Sequence, residues 1–172
     1  MKYKTRSYPE LSACGLNCGL CPRYYTAGTS RCPGCAGAGF LDVHPTCGML
    51  SCCQRKGLEY CFQCDEFPCK KYEKADEADS FITHKNQFRD MEKAKRDIET
   101  YKAELNEKIK ILQELLQNYD DGRRKSFFCT AINLLELDDV KAVMECVTDT
   151  KSAVAAFNEM AEVRGVSLKL RK

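Results

Sequence analysis

The chain has 172 residues, 30% of them charged and 44% hydrophobic, with a net charge of +2 and no Trp. This balance fits a folded protein rather than a disordered one, and it is too nearly neutral to indicate a nucleic-acid partner by itself. The length allows one medium domain, or a small domain beside a helical one.

Met1 to Glu10 lack the apolar stretch of a signal peptide, and no apolar run reaches the roughly 20 residues that cross a bilayer. A cytoplasmic location without membrane contact is therefore expected, where thiols stay reduced. Thirteen cysteines, an odd number, also suit a pure disulfide framework poorly.

Composition divides the chain near residue 72. Residues 1–72 are rich in Cys, Gly and Pro and are expected to form a Cys-rich metal-binding domain. Their apolar side chains, such as Leu16, Leu20, Phe40 and Phe62, follow no sustained helical or strand period. A segment of about 70 residues with so little patterned core needs staples. Residues 73–172 are expected to form a helical domain. From about 83 to 119 the residues Met91, Ile98, Leu105, Leu112 and Tyr119 recur every seven positions without a Gly or Pro. That predicts one long amphipathic helix, on the order of 50 Å, with Gly122 turning the chain after it. Its stripe suits packing within the chain and leaves a homodimer seam open. Ser126–Leu135 predicts a helix buried on several faces, and Asp138 or Asp139 is placed to cap the next one. A third helix carries Ala153, Phe157, Met160 and Ala161 and stops before Gly165. Val166, Leu168 and Leu170 alternate as a short extended tail. The fold class is mainly α: a small irregular, zinc-knuckle or ribbon-like region packed on helices.

Eleven cysteines lie between Cys14 and Cys69. In a Cys-x-x-Cys turn two sulfurs face one centre, and two such turns complete a tetrahedral site. Cys18, Cys21, Cys32 and Cys35 form the first predicted site. Cys61, Cys64 and Cys69, with Cys52 as fourth ligand, form the second, and Lys56-Gly57 supplies a turn and a cation beside it. Cys14 and Cys47 are further candidate ligands. With Cys53 and His44 they make a third centre arithmetically open, although His44 reads more simply as a loop residue. Residues 1–72 hold nine Lys/Arg against five Asp/Glu, a surplus of four. Two divalent ions, each held by four thiolates at net −2, would cancel it. Zinc is the first expectation and an iron–sulfur cluster the alternative. Cys129 and Cys146 lie in apolar helical sequence and read as small buried hydrophobes. Tyr24 and Tyr25, beside a knuckle, are the residues with which a nucleic-acid reading would have to work.

The succession Cys14-Gly15-Leu16-x-Cys18-x2-Cys21-Pro22-x-Tyr24, Cys32-x-Gly34-Cys35, Cys52…Lys56-Gly57 and Cys61-x2-Cys64-x2-Phe67-Pro68-Cys69 resembles prokaryotic cysteine-rich proteins grouped as domain-of-unknown-function family 3795. The resemblance covers roughly residues 12–73. It implies a zinc-binding protein without an established activity, and Cys53 stands where the family usually has a small residue other than Cys. Four functions follow: a structural zinc module that binds a protein partner, an iron–sulfur or dithiol redox protein, a zinc enzyme with one open coordination position and a nearby acid or base, and a nucleic-acid-binding zinc protein, the last disfavoured by the missing basic surplus. Catalysis has little support, with only two His and no carboxylate at a ligand spacing.

Overall fold

The structure, a computed structural model, describes residues 3–75 and 77–172. Met1, Lys2 and Asp76 lie outside the described residues, Lys2 being one of the nine basic residues counted above. The described chain is helical and irregular, without a strand. Helices α1 (Phe40–Val43) and α2 (Gly48–Arg55) lie in the Cys-rich segment among single 3-10 turns. After them come α3 (Gln87–Arg96), α4 (Ile98–Asn118), α5 (Lys125–Leu134), α6 (Leu137–Met144) and α7 (Thr150–Val163). No helix among the described residues is long and apolar enough to cross a membrane.

The long helix is present but shorter than its heptad stripe implied. Asp97 breaks it, with extended backbone at φ −153° and ψ 100°. Its carboxylate accepts hydrogen bonds from the Glu99 and Thr100 amides and so caps α4. A free N-terminal amide turn needs such an acceptor, and here the cap outweighs continuity of the apolar stripe. The 21 residues of α4 span about 32 Å at 1.5 Å per residue rather than 50 Å.

α4 is the axis of the core. Leu105, Leu112 and Leu115 on its inner face are buried against the chain's own elements, among them Phe128 and Ile132 of α5. Each such leucine contributes about 1.5–3 kcal/mol by leaving water. Both apolar stripes of α5 are covered, as the sequence predicted. The capping of α6 differs. Neither Asp138 nor Asp139 caps it; Glu136 holds the N-cap position, and buried Asp139 binds the Arg164 guanidinium after α7. Arg164 offers that carboxylate a bidentate partner, which a cap would forfeit. Gly122, at φ 83°, shapes the loop to α5 rather than ending α4, which stops at Asn118.

One apolar cluster joins the two halves: Leu11, Leu20, Tyr60 and Phe62 pack in the same core as Met91 and Leu105. A buried polar lock runs through it. The Asn17 amide donates to Asp90 of α3 at 2.9 Å and to the Asn133 side chain of α5 at 2.9 Å, while Tyr101 of α4 donates to Asn17 at 2.8 Å. Asn86 closes the ring by donating to both Asp90 and Asn133. Because Asn17 immediately precedes Cys18, this ring fixes the first Cys-x-x-Cys turn on the helical body. Gly15 lies beside it at φ 89°, where an added Cβ would meet Met91 Cγ at 2.2 Å. A side chain there would both strain the backbone and displace the buried Met91 side chain of α3.

The tail after Gly165 is held by two anchors. Lys85 Nζ donates to the carbonyls of Ser167 and Lys169, and Asp79 accepts from the Arg171 amide and guanidinium. Burial raises the Asp79 pKa, but these donors and the His84 amide outweigh it, so the carboxyl sits below its usual value. A depressed folded pKa contributes stability above the unfolded value of about 3.9 that is lost as pH falls through the folded one. Asp79→Ala should therefore free residues 170–172 at neutral pH, read as faster amide exchange there, while Lys85 keeps its hold on Ser167 and Lys169. The wild-type tail should loosen only below about pH 4. A tail equally protected in both chains would contradict this anchoring.

Candidate metal centre

All thirteen cysteines are free thiols. The second predicted set comes together: Cys52, Cys61, Cys64 and Cys69 wall one cavity of about 30 Å³, with Cys53, Lys56, Lys71 and Tyr72. Its elements are local and short. α2 brings Cys52 and Cys53 to one end. A 3-10 turn at Cys61–Gln63 directs Cys61 and Cys64 toward it, with the Gln63 side chain accepting from the Tyr60 amide at 2.9 Å and the Gln63 amide donating to the Tyr60 carbonyl at 3.1 Å. A further turn at Lys70–Tyr72 follows Cys69 and returns Tyr72 inward. Lys56 Nζ donates to Cys64 Sγ at 3.2 Å and pairs with Glu66 at 3.1 Å, which gives the expected cation a definite contact. Gly57 follows at φ 70° and makes the turn.

Cys53 Sγ stands 3.3 Å from Cys61 Sγ. The thiol of Cys53 supports a thiolate at Cys61, and Tyr72, Arg6 and Lys71 add to that support against burial; the Cys61 pKa falls to about 7. Cys53 is pushed up in turn by the same bond and by burial.

The first predicted set also forms a neighbourhood. Cys18 lies within electrostatic reach of Cys35, Cys14, Cys21 and Cys32, and Cys21 of Cys32, so a thiolate at one would oppose a thiolate at the next. Cys14 and Cys47 lie close enough to influence Cys35, which also accepts from the Ala13 amide at 3.5 Å. Burial raises Cys18 well above its ordinary value and Cys14 to about 12. As free thiols Cys14, Cys18, Cys21 and Cys35 favour the neutral form, since a lone thiolate in so dry a place would be costly.

Among the described residues no three His, Cys, Asp or Glu side chains are gathered closely enough to hold a metal ion as they lie. Two thiolates on one zinc stand about 3.8 Å apart, from a Zn–S length near 2.3 Å and tetrahedral angles. The donor chemistry nonetheless fits a thiophilic ion: five cysteines, no disulfide and adjacent ammonium groups. The cavity has room for at least a water-sized occupant.

Other candidates fall outside the thiol groups. His44 stacks on Phe40 at 4.4 Å and bonds the Pro45 carbonyl, as a loop residue would. Tyr24 and Tyr25 spend their hydroxyls on Glu10 and the Gly19 carbonyl. Cys129 is buried as expected, but Cys146 is exposed, because it lies past the end of α6 where no element covers it. Arg6 and Tyr72, both beside Cys61, were missed. Tyr72 follows Cys69 closely enough to have been suspected; nothing local marks Arg6.

Residues 10–74 match the model of a family described as a protein of unknown function, DUF3795. No curated protein matches the chain. No solved structure matches it either.

Proposed function

We propose, taking residues 10–74 as a segment of this uncharacterised family, that the chain is a metal-binding protein holding structural zinc. One ion would be held by Cys52, Cys61, Cys64 and Cys69, and another by Cys18, Cys21, Cys32 and Cys35, with Cys14 and Cys47 close to Cys35. The observation that carries the reading is the cavity walled by five cysteines and faced by Lys56 and Lys71. Bound zinc supplies cross-linking there, tying short turns that lack a core of their own. The residues do the rest. Lys56 offsets charge at Cys64, Tyr72 and Lys71 do so at Cys61, and Asn17 sets the first turn on the helices. The role that fits best is a module that presents surface to a protein partner, since the thiol cavity offers no carboxylate or His beside its cysteines other than Glu66, which Lys56 pairs.

Elemental analysis of protein purified without oxygen tests this. About two zinc ions per colourless chain are expected, as two closed tetrahedral sites require. Iron with broad visible absorbance would reject zinc. A second reading has its own observation: the 3.3 Å approach of Cys53 and Cys61 sulfurs suits a dithiol that exchanges with a low-molecular-weight disulfide. The Cys61 thiolate would attack it, releasing one thiol, and Cys53 would then displace the second while losing its proton.

A further inference from the structure

We propose that Arg6 is the buried countercharge of the cysteine centres, clamped between the two thiol groups by a strap, residues 3–9, that precedes the family segment. The inference rests on the metal reading above and adds a residue that lies outside the matched range.

The strap touches both groups. Tyr3 bonds the Cys47 amide at 2.7 Å and Ser51 of α2 at 3.1 Å. Lys4 and Gln54 exchange two hydrogen bonds. The Arg6 amide donates to the Ala36 carbonyl, next to Cys35, at 3.1 Å, and the Pro9 carbonyl accepts from Cys35 at 2.8 Å. The guanidinium crosses to the other group and lies over the Tyr60 ring, next to Cys61, at 4.7 Å.

What makes this informative is how little else balances the charge. The Arg6 side chain is 6% exposed, and its nearest carboxylate, half-exposed Glu59, is 3.8 Å away. One terminal nitrogen donates to the Leu11 carbonyl, while Nε and the other terminal nitrogen are buried without a hydrogen-bond partner. A guanidinium cannot escape burial by losing its proton, so it needs an anion nearby. Protonated thiols supply none and a lone Cys61 thiolate at most one charge, whereas four thiolates on a divalent ion carry a net −2.

The test compares wild type, Arg6→Gln, Arg6→Lys and, as an exposed control on the same strap, Lys4→Gln. Zinc alone is the probe, with affinity read by competition against a chromophoric chelator and thermal stability read with and without zinc. Arg6→Gln should weaken zinc binding about tenfold or more, the size of a lost opposite charge near a thiolate. It should shrink the stabilisation that zinc provides while leaving the metal-free chain as stable as before. Arg6→Lys should retain most of the affinity and Lys4→Gln all of it. Equal loss of stability with and without zinc, at unchanged affinity, would overturn the inference and make Arg6 a packing residue. If Arg6→Gln does not fold, Arg6→Lys decides, and a tenfold loss there despite the retained charge counts against it. A wild-type chain that takes up no zinc sinks the metal reading itself, a result distinct from a zinc-binding chain indifferent to Arg6.

Discussion

Asp90→Ala is expected to lower the unfolding free energy by about 3–5 kcal/mol, the range for breaking one side of a buried charged network. The carboxylate is 4% exposed and accepts from Asn17, Asn86 and the Arg89 guanidinium. Truncation takes one acceptor from each amide, leaving both to share Asn133, and it opens space at the meeting of α3, α4 and α5. Each buried donor left short costs about 1–3 kcal/mol. Asp90→Asn should cost less, since it keeps one acceptor oxygen. Urea unfolding should show a lower midpoint at unchanged slope. Adding Asn17→Ala should then cost less than it does in the wild-type background, because the two residues belong to one ring. Strict additivity, or a loss below about 1 kcal/mol, would mean the ring is a bystander rather than the joint between the Cys-rich segment and the helices.

That joint was not legible in the sequence, and the reason is distance along the chain. Asn17 and Asn133 are 116 residues apart and Asn17 and Asp90 are 73 apart, so neither neighbourhood signals the other. Local chemistry was readable. The Cys-x-x-Cys spacings placed Cys61 and Cys64 at one cavity with Cys52 and Cys69, and the Lys56-Gly57 pair landed beside Cys64 as read. The helical period found α4, α5 and α7 but could not see the break at Asp97, because a heptad of apolar residues continues through a cap that reverses nothing on the buried face. It missed α2 altogether, a helix of two turns whose buried residues, Leu50 and Cys53, are too few to set a period. Arg6 was hidden for a different reason. Its role depends on where a guanidinium ends up, and one arginine in an irregular segment carries no pattern.

Cys64→Ser should remove about one zinc ion per chain, because a structural tetrahedral site needs all four ligands. Cys52→Ser should do the same. Cys53→Ala should leave the zinc content unchanged, although all three residues wall the same cavity. The distinction is physical. Cys53 is 3% exposed and spends its sulfur on Cys61 at 3.3 Å, so it acts there as a hydrogen-bonding thiol. Lys56→Gln should retain the ion but weaken it about tenfold, at the low end for an outer-shell contact, since the lysine touches the Cys64 sulfur rather than any metal. The same set of chains separates the two readings of the protein. If the Cys53 and Cys61 pair is a working dithiol, Cys53→Ala abolishes the oxidised form produced by a small disulfide and leaves a mixed disulfide on Cys61. If zinc holds Cys61, that sulfur is shielded until the metal is chelated, and wild type and Cys53→Ala resist the reagent alike. Loss of zinc from Cys53→Ala with full loading of Cys52→Ser would exchange the two neighbours' roles and make Cys53 the ligand.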